Sequence, residues 1–323
     1  MQERHDEKKS NMSQLTYTRE TRDKTIETIA VAIDLSQDNR IVLDAARHLS
    51  STHDANVVLI HVADSVDLSD RANDATISEA DLRRRVHSEL RERIGELAGK
   101  TGFARDPRLV VEFGLPHRFV LKSVRDLNAD LLIIGPGRPS SLRERVFGST
   151  ADHIVRTSAI PVLVARKHSI KPYRHVAVAV DFSEHSEGAL RAAMRLAPMA
   201  SLELVHSVDI PLQFEQAMLR AGPSGGDPLQ FRAARIADAR KHLAEVAAVH
   251  ALSRRRHISV LQGSPAHTLI QLSQSGRFDL LALGTRGRDA VTQALLGSVA
   301  RRVVAEAACD VLITSRHSLI GSI

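Results

Sequence analysis

The chain has 323 residues, 43% hydrophobic and 25% charged, with 44 basic against 38 acidic side chains and a single cysteine. That length accommodates about two domains with cores of their own, the composition excludes a fibrous or wholly disordered chain, and a lone thiol excludes an internal disulfide. No apolar run approaches the ~20 residues of a membrane span, and the N-terminus lacks an apolar signal region, so the expectation is a soluble cytoplasmic protein.

Residues 1–24 are polar and dense in both charges, which predicts a disordered arm. Thr25–Asp34 predicts a first strand ending in a carboxylate. Ile41, Leu43, Ala45, Ala46 and Leu49 fit a helix, and Asn56–Val62 a second buried strand. A charged amphipathic helix follows around Glu79–Leu97, then a third strand at Leu109–Gly114 and a helix from Pro116 to about Leu127. Asp130–Ile134 and Pro161–Ala165 complete a set of five strands. Strands alternating with helices imply βαβ units and a parallel sheet covered on both faces. With aromatics at 3% and no tryptophan, its core is aliphatic.

After a short junction at Lys171–Arg174 the pattern starts again, with His175–Asp181 repeating the first strand and its terminal aspartate. Gly114, Pro116, Asp130, Gly135, Gly148 and Ser149 recur as Gly263, Pro265, Asp279, Gly284, Gly297 and Ser298, each 149 positions later. Asp34 and Asp181 are 147 apart, and His61 and His206 are 145 apart. Such a long period means two whole domains rather than a solenoid. The expected units are an arm at 1–24, a first domain at 25–168 and a second at 169–318. The Gly/Pro-rich Ala221–Pro228 is a flexible loop inside the second copy.

The densest signal runs from Gly284 to Ser298, between the apolar Asp279–Leu283 and a helical pattern beginning at Ser298. Gly284 and Gly287 allow backbone amides to approach a ligand. Gly297-Ser298 opens a helix, where unpaired N–H groups and the helix dipole favour an anion. The same residues also suit an ordinary turn and helix cap. Arg286 and Arg288 fit either charge-assisted bonds to that anion or plain exposure.

Gly-x-x-Gly, nine residues, then Gly-Ser resembles the nucleotide-binding signature of the ATP-binding universal stress proteins. The resemblance extends to Val178-Ala-Val-Asp181-Phe-Ser-Glu-His-Ser186, Leu204-Val-His206 and Gly263-Ser-Pro265, and it covers both halves, about residues 25–316. The whole is similar to the tandem type of the universal stress protein E group. It implies an α/β fold of two tandem open, five-stranded parallel sheets with helices on both faces, Rossmann-like in outline. Members commonly dimerise through the last strand, which implies that Pro161–Ala165 and Asp310–Thr314 pair within one chain, and a homodimer of the chain is a further implied assembly. The implied ligand is ATP, with Mg2+ as its accompanying ion. Asp181 would contact the adenosine end, Ser207 would stand against the adenine, Gly284 and Gly287 would admit ribose and phosphates, and Gly297 and Ser298 would hold phosphate oxygens.

In the first half Asp34, Val62, Gly135, Gly148 and Ser149 keep the matching positions, but Arg138 replaces the second signature glycine. Pro136 and Pro139 restrict the residues before them. Gly137 either compensates by one position or leaves a degenerate loop.

Three functions compete: an ATP-binding stress-response regulator, a nucleotide-free interaction scaffold, and an enzyme, at most a slow ATPase. The Gly-x-Gly-x-x-Gly of dehydrogenases, the P-loop and the Gly-x-Ser-x-Gly elbow are all absent. His267 reads as a helix-surface histidine and Cys309 as a small buried packing residue. The clusters Arg83–Arg85 and Arg254–Arg256 lack interleaved aromatics and read as solvated faces rather than a nucleic-acid surface. The 16 histidines show no zinc-ligand spacing and read mainly as surface residues.

Overall fold

The computed structural model describes residues 25–35, 39–63, 78–137, 148–167, 171–221, 227–250, 252, 256–285 and 296–315. The expected N-terminal arm, the interior of the Gly/Pro-rich loop, Arg138, Pro139, Arg254, Arg255, Arg286, Gly287 and Arg288 lie outside these residues.

The first half contains β1 (Thr28–Ile33), α1 (Asn39–His53), β2 (Asn56–Ala63), α2 (Glu79–Thr101), β3 (Arg108–Phe113), α3 (Pro116–Asp126), β4 (Leu131–Ile134), α4 (Ser149–Thr157) and β5 (Val162–Val164). The second half contains β6 (His175–Ala179), α5 (Glu184–Leu196), β7 (Ser201–Val208), α6 (Leu212–Arg220), α7 (Pro228–Val249), β8 (Arg256–Gln262), α8 (Pro265–Gln274), β9 (Leu280–Gly284), α9 (Ser298–Glu306) and β10 (Asp310–Thr314). Local chemistry sets the boundaries. Ser78 caps α2 by accepting from the Asp81 amide, Gly102 ends it in the left-handed region at φ 72°, and Pro116, Pro228 and Pro265 stand where the missing N–H costs nothing.

Within each half every strand pairing is parallel, in the order β3-β2-β1-β4-β5 and its counterpart β8-β7-β6-β9-β10. β5 and β10 pair antiparallel, with Leu163 opposite Leu312, so the two sheets are continuous as one of ten strands. Both expectations drawn from the resemblance, two five-stranded parallel sheets and the joining of their last strands, hold.

The core is aliphatic and forms two layers, one on each face of the sheet. One layer holds residues of α1, α2, α5 and α7, the other residues of α3, α4, α8 and α9, and each is shared by both halves. At the seam, the buried Asp310 accepts from the Arg166 and Lys167 amides at 2.7 and 3.1 Å and from Tyr173 Oη at 2.7 Å. Arg195 crosses to Asp130 Oδ1 at 2.6 Å. No helix among the described residues is long and apolar enough to cross a membrane. The Arg83–Arg85 run is exposed on α2, as expected, with Arg83 and Arg84 paired to Glu79 and Asp81.

One region was not anticipated. α6 buries none of its residues, and α7 buries only Ala239, Leu243 and Ala247. The N-terminal half of α7 therefore runs past the core. It is tied to α6 by the Arg232–Glu215 ion pair and by the Phe214 and Phe231 rings, whose centroids are 5.3 Å apart.

Candidate functional site

In each half the chain leaves β1 or β6 toward one side of the sheet and returns on the other through β4 or β9. Open α/β sheets bind ligands at this switch point, beyond the carboxyl ends of the strands. A cleft lies there in both halves, of ≈ 640 Å³ in the second and ≈ 300 Å³ in the first.

The second cleft is built from the end of β6 outward. Asp181 follows the strand, and Phe182 turns the chain into α5 with φ 63°; Leu35 does the same after Asp34 with φ 58°. A left-handed residue with a β-carbon costs roughly 1–2 kcal/mol, and the turn recurs at matching positions in both halves. Asp181 Oδ1 accepts from the Ser183 amide at 3.1 Å and its hydroxyl at 2.5 Å, so the carboxylate is held in place at the cleft.

Two histidines of the second-strand repeat hold strand ends together, although most of the sixteen read as surface residues. His206 Nδ1 donates to the Val180 carbonyl at 2.7 Å, and His61 Nδ1 donates to the Ile33 carbonyl at 2.9 Å. Burial holds the His61 imidazole below its ordinary pKa. The Phe182 ring lies against His206, with centroids 4.7 Å apart, and lines the cleft. Ser207 also lines the cleft, but its hydroxyl donates inward to the Gly263 carbonyl at 2.6 Å. That bond masks its polarity, so the position resembles the apolar Val62 that lines the first cleft.

The glycine positions carry more than one duty. Gly284 lines the cleft, yet a Cβ there would lie 2.7 Å from His185 Cβ, so the glycine is required for β9 to pack against α5. The Gly297 amide is not turned to the cleft: it donates to the Thr285 carbonyl at 2.8 Å, as Gly148 donates to Pro136 at 3.3 Å. The amides of the first turn beyond it, those of Ser298, Val299 and Ala300, have no partner within the helix. Among the described residues no side chain caps α9 or α4, whose N-cap positions are Gly297 and Gly148. In the first half Gly137 packs on this joint with φ 78°, and a Cβ would stand 2.9 Å from Gly148 Cα.

Asp34, Val62, Gly135, Gly148 and Ser149 thus surround the first cleft, and Asp181, Ser207, Gly284, Gly297 and Ser298 the second. Gly287 lies outside the described residues. Sequence reasoning missed the wall that α7 adds to the second cleft, with Arg235, Asp238, Ala239 and His242. The i, i+3, i+7 spacing of Arg235, Asp238 and His242 was the available signal. Among the described residues no cluster of His, Cys, Asp or Glu is built to hold a metal.

Residues 25–166 and 172–315 each match the model of the universal stress protein family. The universal stress protein in the QAH/OAS sulfhydrylase 3' region of Thermus aquaticus is 32% identical over 149 residues, 44% of this chain and 98% of that one. Universal stress protein A homolog 1 of Coxiella burnetii is 30% identical over 145 residues, 43% of this chain and 94% of that one. Among solved structures, a universal stress protein from Archaeoglobus fulgidus DSM 4304 superposes with a TM-score of 0.65 at 19% identity, over 90% of this chain and 97% of that one. A putative universal stress protein from Pseudomonas aeruginosa UCBPP-PA14 gives 0.57 at 17%, over 94% and 99%. At these identities the likeness is one of fold.

Proposed function

The chain belongs to the universal stress protein family, and from that premise we propose that it binds ATP in its second half and acts as a stress-response regulator in the cytoplasm. The observation that carries this reading is the uncapped first turn of α9, which opens into a cleft whose far side holds a fixed carboxylate, Asp181. In this reading Asp181 meets the adenosine end, Ser207 and the β7 terminus flank the adenine, and the Ser298–Ala300 amides hold phosphate oxygens. Gly284 and Gly287 admit the ribose and phosphates. Mg2+ arrives with the phosphates. The two units run over 25–168 and 169–318.

Regulation follows only when ATP binds two states of the protein unequally. The proposal assigns no catalytic residue, and turnover, where present, is slow.

The first half favours a second reading, a scaffold that holds no nucleotide. Gly137 sits against Gly148 at the mouth of α4, and the cleft has about half the volume of its counterpart.

The test is to denature freshly purified protein, identify released small molecules by mass spectrometry, and titrate the emptied protein with ATP while following its melting. ATP at 100 times its dissociation constant adds about 2.7 kcal/mol of stability. One equivalent per chain fits the second cleft alone, and two would restore the first. No released nucleotide together with no melting shift overturns the reading.

A further inference from the structure

We propose that Arg235 on α7 determines the preference of the second cleft for a phosphorylated ligand over the bare nucleoside. This assignment rests on the nucleotide reading above and adds a residue that the Gly284–Ser298 loop does not contain.

The cleft is bounded from both faces of the sheet. α9 packs through Ala300, Val303 and Val304 into one core layer, and α7 through Leu243 and Ala247 into the other. A ligand lying over the first turn of α9 therefore has α7 across the strand ends from it. The buried residues of α7 begin at Ala239, so Arg235 stands one turn beyond the point where the helix leaves the core. Its place at the cleft is not dictated by core packing.

Charge makes the position informative. Among the described lining residues Asp181, Asp209 and Asp238 are acidic, and Arg235 is the one lysine or arginine. Two of the acids have neighbours: Asp181 accepts from Ser183, and Asp238 faces His242 at 3.9 Å. Arg232, one turn back on the same helix, is paired with Glu215. Arg235 itself is exposed and has no ion pair with a described residue. A polyphosphate entering beside three carboxylates is repelled, and a helix N-terminus offsets only about half a charge. An arginine on the α7 wall supplies attraction from the other side through charge-assisted bonds. Among the described residues the first cleft has no counterpart: no residue of α2 lines it, and Asp34 is its one charged residue.

The experiment is a titration of the full chain with ATP and, separately, with adenosine, for wild type, Arg235→Gln and Arg235→Lys. Arg235→Gln is expected to weaken ATP by about tenfold or more, the scale of a lost charge-assisted contact, and to leave adenosine within about twofold. Arg235→Lys recovers most of the ATP affinity, and the unliganded melting temperature is the same in all three. Unchanged ATP affinity in Arg235→Gln overturns the inference, as does an equal loss for both ligands. If wild type binds neither ligand, the nucleotide reading itself falls, and this assignment with it. If wild type binds ATP and only the Arg235 variants behave unexpectedly, the nucleotide reading survives alone.

Discussion

Gly284 lies so close to His185 that a Cβ on the glycine would stand 2.7 Å from His185 Cβ and 2.8 Å from its carbonyl carbon. The neighbour is mostly backbone, which cannot swing aside. Gly284→Ala should therefore force β9 and α5 apart and destabilise the protein by about 1–3 kcal/mol, the usual range for overpacking. The measure is a urea midpoint without nucleotide. Gly135→Ala in the first half meets only Val42 Cγ2 at 3.5 Å, an ordinary contact, and should shift the midpoint far less. Equal shifts at the two glycines would refute the packing role.

Ser298 separates stability from binding. An acid in the first turn of a helix with no side-chain cap interacts well with the dipole, so Ser298→Asp should stabilise the unliganded protein by about 0.3–1 kcal/mol. The same carboxylate occupies the ground an anion would take, so ATP affinity should fall. Opposite movements in melting temperature and affinity are the expected pair. An ATP affinity that is unchanged or higher removes α9 from the proposed site.

Cys309 is fully buried before β10, and burial pushes its thiol up to about 12. The thiolate is the reactive form, and at pH 8 it amounts to about one molecule in ten thousand. Iodoacetamide should leave the native protein unmodified by mass spectrometry and label it fully in denaturant. Rapid labelling of the native protein would mean that the seam beside β10 opens readily.

Asp310 gives a pH dependence with a definite sign. Desolvation raises its carboxyl above the ordinary value of 3.8, against the hydrogen bonds from Arg166, Tyr173 and Lys167. The folded chain then holds this proton more tightly than the unfolded one. Its contribution is fully present below the ordinary value and is lost as pH rises through the raised folded value. Across a urea series from about pH 4 upward, wild type should lose stability relative to Asp310→Asn. A difference that is flat with pH, or that grows in favour of wild type, contradicts this.

Much of the fold is legible because buried parallel strands are continuous apolar runs. Leu131–Ile134 reads as a strand, and all four residues are buried. The duplication helps as well, since each half checks the other. α6 was not legible: Leu212–Arg220 is only nine residues long and buries nothing against the core. Arg235 was hidden for a related reason, because its place depends on how far α7 overhangs the sheet. His61 and His206 were legible as members of the second-strand repeat, but not their bonds to the carbonyls of Ile33 and Val180, 28 and 26 residues away in sequence. The role of Gly284 was only half visible, since the loop pattern says that a side chain is unwelcome there but not which neighbour excludes it.

The pairing of β5 with β10 has a consequence for how such a chain changes over generations. In an association of two identical subunits every substitution appears on both sides of the symmetry axis, and the assembly is lost on dilution. Here Val162–Val164 meets Asp310–Thr314, two different stretches written once each, joined whatever the protein concentration. One copy is at liberty to drift while the other is held. Pro136 stands where the second copy has Thr285, and β5 and β10 pair all the same.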